Sequence, residues 1–327
     1  MPNFGAFVVS LDFEQRWGVR DHCEPKHGCH ERLLGARDAV RGILDLFEQY
    51  EIAATWAVVG FLFARSRQEL ESFSPRVRPR YRNAALDPYG EQIGCSEEDD
   101  PLHFAPSMIR AIQARPRQEI GSHTFSHYYC QEPGQDKAAF AADMESAARI
   151  AGNFGVRLES IVFPRDQMNL GYRDVLKAKG ITAYRGNQAL WIYRPAPRRT
   201  QRSWVRRGAR LFDAYIPLSG LNLCRWDEIA EDDGLCNVRA SAYLRPYCPA
   251  LRGFDALRLR RIAAAIKEAA LSKRIFHLWW HPHDFGKFAE QNLEFLRAVL
   301  NEYGYWRNRV GMRSLNIEEV AALVRPA

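Results

Sequence analysis

Two histidines four residues apart, His123 and His127, are the most informative feature of this sequence for chemistry. They lie in the run Glu-Ile-Gly-Ser-His-Thr-Phe-Ser-His, which follows a short apolar segment. First-row metal ions bind imidazole nitrogen readily, and two imidazoles at this spacing can reach the same ion. An isolated pair at this spacing is common, however, and fits an exposed helix face or a satisfied core pair equally well. The rest of the sequence must therefore decide whether the pair binds a metal.

Two carboxylates lie at the end of a predicted N-terminal strand. Residues 5–13 read Gly-Ala-Phe-Val-Val-Ser-Leu-Asp-Phe, a β-branched and aromatic run that predicts a buried strand. Strand side chains alternate between faces, so Asp12 and Glu14 point to one side and Phe13 to the other. Two carboxylates on one face of a buried strand are costly without a nearby cation, which a metal ion would supply. The alternative is an acidic strand end exposed to water.

Two further strand ends carry polar side chains. His281 and His283 follow the apolar, aromatic run at 275–280, and Arg165 follows the short run at 161–163. Parallel α/β folds build their active sites from polar residues at the ends of strands. A carboxylate pair, an arginine and two histidine pairs at four strand ends therefore predict one catalytic site.

The order of these motifs resembles the polysaccharide deacetylase family, also known as carbohydrate esterase family 4 or nodulation-protein-B-like deacetylases. The resemblance extends over about residues 4–286. His123-Thr-Phe-Ser-His127 is similar to the family motif His-Ser/Thr-x-x-His. Arg165 in Phe-Pro-Arg resembles the third motif, which usually reads Arg-x-Pro. His281 in Leu-Trp-Trp-His resembles the last motif, Leu-x-His.

The first family motif is altered in this sequence. Most members read Thr-Phe-Asp-Asp-Gly, whereas the aligned run here is Ser-Leu-Asp-Phe-Glu, with Phe13 at the usual ligand position. The sequence resembles a subset that uses Asp-x-Asp or Asp-x-Glu. The resemblance then implies that Asp12 is the catalytic base and Glu14 a metal ligand, and the alternation of strand side chains supports this. The two roles can also be exchanged.

The resemblance implies amide hydrolysis at one divalent metal ion, which we expect to be zinc. Three ligands would hold it: Glu14, His123 and His127. Such an ion lowers the pKa of a bound water to ~7, and that water would be the nucleophile. Asp12 would take the proton from the water, and His281 would protonate the leaving nitrogen. Arg165 would hold Asp12 ionised through a charged hydrogen bond, unless it forms only a surface ion pair.

Other clusters are less specific. His283 is predicted either to support His281 or to be fixed by packing after Pro282. Of the adjacent Trp279 and Trp280, one is expected in the core and one beside the sugar, and we assign Trp280 to the substrate together with His283. The run from His22 to His30 holds five potential metal ligands, but its spacing does not match a structural zinc site. We expect it to form a loop above the active site.

Alternating strand-like and helical patterns predict a parallel α/β fold, and the resemblance narrows this to a distorted, incomplete (β/α) barrel. The strand-like runs lie at 6–13, 54–59, 119–122, 160–163, 182–185 and 275–280. The 327 residues suit a single catalytic domain spanning 1–327. Two loop insertions are expected at about 72–106 and 186–253, where such excursions commonly build substrate loops.

Arginines crowd around Trp204 between Arg198 and Arg210, and the formal net charge is +7. This pattern predicts either a solvated helix face or a segment that grips phosphates or makes peripheral contact with an anionic membrane. Nucleic acid is not an expected partner, because no nucleic-acid-binding module is recognisable. Seven cysteines with irregular spacing, and the lack of a signal-peptide or membrane-span pattern, predict a cytoplasmic protein.

Together these features predict a metal-dependent N-deacetylase acting on an acylated amino sugar in cell-surface glycan synthesis. A cytoplasmic location favours a nucleotide-linked or lipid-linked precursor as the substrate. The alternatives are hydrolysis of another carbon–nitrogen amide, including deformylation, and an inactive barrel that binds glycan.

Overall fold

A parallel β-sheet forms the centre of the protein in the computed structural model, which describes residues 1–21, 29–188, 190–194, 200, 203–216 and 218–325. Within these residues the sheet has nine strands, in the order β6-β5-β4-β3-β2-β1-β8-β7, and β9 also pairs with β1. The strands are β1 Ala6–Phe13, β2 Ala54–Val58, β3 Gln118–Ser122, β4 Ser160–Ile161, β5 Ala183–Tyr184, β6 Cys236–Asn237, β7 Ala242–Tyr243, β8 Ile275–Trp280 and β9 Arg313–Leu315.

Helices lie between most pairs of successive strands and pack against the sheet. The α-helices of the described residues are α1 Gln15–Val19, α2 His30–Tyr50, α3 Arg67–Phe73, α4 Pro106–Gln113, α5 Lys137–Gly152, α6 Arg173–Ala178, α7 Trp204–Asp213, α8 Asp255–Ser272, α9 Ala289–Val310 and α10 Ile317–Val324. In the part of the chain that the structure describes, β6 and β7 are the two edge strands of this order and do not pair with each other, so the sheet does not close into a complete barrel. The predicted distorted, incomplete (β/α) barrel is confirmed.

Strand β1 lies in the middle of the sheet, and all eight of its residues are buried. It pairs with β2 on one side and with β8 on the other. Leu11 and Phe13 point into the aromatic core, where Phe13 meets Trp56 edge-to-face. The alternate residues, Ser10 and Asp12, therefore point to the opposite face of the sheet, on which the polar site is built.

The six predicted strands are confirmed, but three were missed. β6 and β7 lie within 186–253, so the prediction that this whole segment is a loop insertion is wrong. Strands of two residues are too short to produce a detectable alternation of side chains. The segment 72–106 contains short 3₁₀ turns between α3 and α4, as an insertion would. A single catalytic domain spanning the whole chain stays a prediction.

No helix among the described residues is long and apolar enough to cross a membrane. Of the cysteines, five are free thiols: Cys95, Cys130, Cys224, Cys236 and Cys248. Cys29 is disulfide-bonded, although the irregular spacing of the seven cysteines suits a reducing compartment better than a disulfide framework. The predicted cytoplasmic location was not tested and stays a prediction.

Candidate active site

Glu14 lies between the two histidines of the His-x-x-x-His motif. Its Oε2 is 2.9 Å from Nε2 of His127 and 3.3 Å from Nε2 of His123. All three side chains are buried, and their ligand atoms lie within 4.8 Å of one another. One carboxylate and two imidazoles are a donor set that zinc-class ions bind in catalytic sites.

The hydrogen bonds of His123 test whether this group fits a metal. Its Nδ1 lies 2.9 Å from the carbonyl oxygen of Val162, which can only accept, so this nitrogen carries the hydrogen. In the neutral ring, Nε2 then presents a lone pair to the Glu14 carboxylate, and two acceptors face each other. A cation between them would remove this repulsion, and the backbone bond would fix the ring as it does around other metal ligands. The residues fit a divalent ion.

A strained loop after β3 brings the two histidines together. Thr124 and His127 have φ angles of 62° and 57°, in the left-handed region that non-glycine residues seldom adopt. The buried Asp143 of α5 stabilises this loop by accepting the backbone N–H groups of Phe125 (2.7 Å) and Ser126 (3.1 Å). Backbone strain that the surroundings hold in place in this way is typical of functional sites.

Asp12 is held by Arg185 and not by Arg165. Arg185 Nη1 donates to Asp12 Oδ1 over 2.6 Å, and Nη2 donates to Oδ2 over 2.8 Å. Burial opposes ionisation of Asp12, but the charges of Arg185, His123 and His281 and the hydrogen bonds from Arg185 together lower the pKa of the carboxyl below its usual value. The prediction that Arg165 holds Asp12 is wrong, because Arg165 turns away to pair with Asp21 and lies over the ring of Tyr129.

Arg185 is itself fixed by a buried hydrogen-bond chain. His277 Nδ1 lies 3.1 Å from the carbonyl of Val238, and its Nε2 lies 2.9 Å from Ser10 Oγ. Ser10 Oγ therefore donates to His277 and accepts from Arg185 Nη1, over 3.1 Å. Burial lowers the pKa of His277 to about 3, so this histidine is neutral and serves as a positioning group.

His281 lies beside both carboxylates. Its Nε2 is 3.7 Å from Glu14 Oε1 and 3.9 Å from Asp12 Oδ2, and its Nδ1 donates to Asp284 Oδ2 over 3.0 Å. Burial on its own would lower the pKa of His281, but Glu14, Asp284 and Asp12 outweigh burial and raise it to about 9. The imidazole is therefore protonated at neutral pH, as a general acid must be.

Asp284 is anchored by two further side chains. Tyr243 donates its hydroxyl to Oδ2, and Arg32 donates to Oδ1 over 3.4 Å. His283 stacks on His281, with ring centroids 5.0 Å apart. The structure thus places His283 against the predicted acid, in agreement with a supporting position.

The predicted substrate contact of Trp280 is wrong. Trp280 pairs in register with Leu11, and its buried ring packs on Phe285 in the core. Trp279 pairs with Ser10 and so shares the face of the polar site. Its ring lies 4.1 Å from the guanidinium of Arg185 and lines the active-site cavity.

Several predictions fall on residues outside the described part of the chain. These are Arg198, Arg199, Arg202 and most of the His22–His30 cluster. Arg206 is buried and donates to the backbone carbonyls of Trp191 and Arg194, whereas Arg207 is exposed. The arginine-rich segment thus does not form one solvated face. Membrane contact through it stays a prediction.

Comparison with known proteins agrees with this geometry. The family model for polysaccharide deacetylase matches residues 31–184, which include His123 and His127. Residues 31–184 are similar to the polysaccharide deacetylase family. The matched range ends before His281 and begins after Glu14, so contact geometry alone connects those residues to the motif. A search of curated proteins found no match.

Solved structures share the fold of this chain. A Mycobacterium smegmatis protein assigned to the polysaccharide deacetylases superposes with a TM-score of 0.63 at 14% identity, covering 99% of this chain and 92% of that one. A Pseudomonas aeruginosa PAO1 protein with the same assignment gives 0.54 at 13% identity, covering 97% and 89%. Puue allantoinase gives 0.54 at 13% identity, covering 98% and 91%.

Proposed function

We propose that this protein is a metal-dependent hydrolase that removes an N-acetyl or related acyl group from an amino sugar. The observation that carries the proposal is the convergence of Glu14 Oε2 with Nε2 of His123 and His127, beside Asp12 and His281. The match of residues 31–184 to the polysaccharide deacetylase family supports a carbohydrate substrate.

Glu14, His123 and His127 would hold the divalent ion, which we expect to be zinc. A bound ion would supply a nucleophile at neutral pH and polarise the carbonyl oxygen of the amide. Glu14 suits the ligand position because both histidines face its Oε2. Asp12 is engaged by Arg185 instead, so the contacts favour Asp12 as the base and Glu14 as the ligand.

Asp12 would accept the proton from the attacking water. Arg185 keeps this carboxylate ionised and oriented, because two guanidinium nitrogens each donate to a different carboxylate oxygen. The guanidinium of Arg185 also lies over the ring of Trp279, 4.1 Å from its centroid. Exclusion of water around this pair strengthens the interaction and keeps the base aimed at the centre of the site.

His281 would protonate the departing amine nitrogen. Its Nδ1–H is tied to Asp284, which leaves Nε2–H as the group that faces Glu14 and Asp12. The substrate nitrogen would approach from the cavity that Tyr243, Trp279 and His281 line. A carboxylate base and a protonated imidazole, both beside the ligand carboxylate, provide the proton acceptor and the proton donor that amide hydrolysis requires.

An inactive glycan-binding barrel is less consistent with these contacts. Such a protein has no need of a buried carboxylate held by arginine or of a protonated histidine held by aspartate, and both arrangements are costly to bury. Hydrolysis of another carbon–nitrogen amide, including a formamide, would use the same catalytic groups. Only assays with different substrates distinguish this activity from removal of an N-acetyl group.

The test is an assay of primary-amine release from a panel of N-acetyl and N-formyl amino sugars, free, nucleotide-linked and lipid-linked. We expect release that stops on chelation and returns on addition of zinc. The Asp12→Asn and His281→Ala variants should each lose ~10²–10⁴-fold in turnover while keeping their metal, since acid–base catalysis contributes this much. Metal binding without amine release from any member of the panel would contradict the proposal.

A further inference from the structure

A second cavity opens beside the catalytic one. It has a volume of about 440 Å³, within the range of small-molecule sites. The two cavities share five lining residues: Asp166, Arg210, Tyr243, Trp279 and His281. A molecule whose amide lies at His281 can therefore extend into the second cavity without leaving the protein.

The second cavity is strongly basic. Four arginines line it: Arg207, Arg210, Arg245 and Arg261. Among its lining residues the one carboxylate is Asp166, and that group accepts a hydrogen bond from Arg185. Arg261 is paired with Asp213, whereas Arg207 and Arg245 have no carboxylate partner within the described part of the chain. The cavity therefore has a surplus of positive charge.

The surrounding structure holds these arginines close to one another. Arg258 donates to the backbone carbonyls of residues 245 and 246, which fixes the chain from which Arg245 projects. The buried Asp213 accepts hydrogen bonds from Tyr193 (2.8 Å) and Arg261 (3.1 Å), joining α7 to α8 across the cavity wall. Like charges held together in this way repel, and an anion between them would relieve the repulsion.

Two buried polar atoms in the lining have no hydrogen-bond partner among the described residues. Nε of Arg261 donates no hydrogen bond, and Oε1 of Gln188 accepts none. Arg261 is 9% exposed at its side chain and Gln188 6% exposed. An unpaired buried donor is unfavourable, so Arg261 Nε is an independent sign that a ligand with acceptor oxygens completes this cavity.

We propose that the second cavity binds a phosphate or diphosphate group of the substrate, so that the acylated amino sugar is attached to a phosphate carrier. This inference rests on the proposed function of the adjacent site. Guanidinium groups bind phosphate through paired N–H donors, and several arginines around one pocket are typical of such recognition. A neutral glycan polymer would leave this charge uncompensated.

The phosphate can come from a nucleotide or from a lipid. Helix α7 and the residues after it form one wall of the cavity and also expose apolar side chains, among them Trp204 (84% exposed) and Leu218 (62% exposed). A lipid carrier would use this exposed apolar surface, whereas a nucleotide would not. Both sources share the phosphate chemistry on which the proposal depends.

The test is calorimetric titration of the purified, metal-containing protein with inorganic phosphate and pyrophosphate. We expect saturable binding that the Arg207→Gln/Arg245→Gln double variant weakens at least about tenfold, because each charged hydrogen bond contributes substantially. Arg76→Gln, which removes an exposed arginine that does not line the cavity, is the matched control and should bind as the wild type does.

Binding to the metal centre is distinguished by the His123→Ala variant. Pyrophosphate binding that persists in His123→Ala and is lost in the double arginine variant supports the cavity. Equal binding by the double variant and the wild type, or the lack of any binding by the wild type, overturns the proposal. This titration requires no turnover, so its result is independent of whether the protein hydrolyses amides.

Two further arms identify the carrier. Titration with uridine diphosphate and sedimentation with phosphatidylcholine vesicles, with and without added polyprenyl phosphate, should each be compared in the wild type and the double variant. A loss of either interaction in the double variant supports phosphate binding in the second cavity and shows whether the carrier is a nucleotide or a lipid. Retention of both in the double variant contradicts the proposal.

Discussion

Arg185 donates two hydrogen bonds to Asp12, from Nη1 over 2.6 Å and from Nη2 over 2.8 Å. Arg165 pairs with Asp21 instead. Lysine keeps the charge but cannot form the paired bonds. We expect Arg185→Lys to lower kcat by ~10–100-fold with full metal content, because the base loses its orientation. Arg165→Lys should have a much smaller effect on kcat. Equal losses in the two variants would contradict the assignment of Arg185 as the partner of the base.

The arrangement of Asp12, Glu14 and the two histidines follows from sequence logic. Alternation along β1 places both carboxylates on one face, and the His-x-x-x-His spacing lets both imidazoles reach Glu14. Arg185 is not among the predicted site residues, but it ends the strand-like run at 182–185, so its place at a strand end is the signal in the sequence that points to it. Alternation in β8, paired with β1, also assigns Trp279 to the site.

Other features could not be predicted from the sequence. The chain of contacts from Val238 through His277 and Ser10 to Arg185 joins residues far apart in sequence, and no local pattern marks it. β6 and β7 are stabilised by their neighbours in the sheet and not by their own alternation. Tertiary packing decides such short elements.

Gly18 provides the space that the Glu14 carboxylate occupies. A Cβ at this position would lie 1.9 Å from Glu14 Cδ, so Gly18→Ala should displace the ligand and reduce metal content. Gly304→Ala is the matched control, because its Cβ would meet no atom within 4 Å in the middle of α9. We expect this control to keep its metal and to raise the free energy of unfolding by ~0.5–1 kcal/mol. Full metal occupancy in Gly18→Ala would show that Glu14 is not a ligand.

Asp284 sets the pH range over which His281 can act as an acid. Burial lowers the pKa of His281, but the carboxylates of Glu14, Asp284 and Asp12 outweigh burial and raise this pKa to about 9. Activity should therefore fall as the pH rises through this value, because the imidazole loses its proton. Asp284→Asn removes one of these charges and should move the basic limb of the kcat/KM profile to lower pH. Tyr243→Phe, which removes a hydrogen bond to Asp284 but no charge, should move it less. A basic limb that is unchanged in Asp284→Asn would show that Asp284 does not set the pKa of the catalytic acid.

Glu119 should make stability depend on pH. Burial raises its pKa from 4.5 to about 7, against hydrogen bonds from Ser160 and Thr55. The folded protein therefore holds a proton that the unfolded chain releases, and this stabilisation is present below the unfolded pKa and lost as the pH rises through about 7. Between about pH 5 and pH 8 the wild type should lose up to roughly 3 kcal/mol of unfolding free energy relative to Glu119→Gln. Parallel pH profiles for the two proteins in denaturant unfolding would contradict this.

Metal stoichiometry tests the central claim most directly. Elemental analysis of the purified protein should find one divalent ion, expected to be zinc, in the wild type and in Asp12→Asn. Glu14→Gln and His127→Ala should lose it while circular dichroism shows that they remain folded. Loss from Asp12→Asn with retention in Glu14→Gln would show that the two carboxylates exchange roles. Full occupancy in both Glu14→Gln and His127→Ala would contradict the metal centre itself.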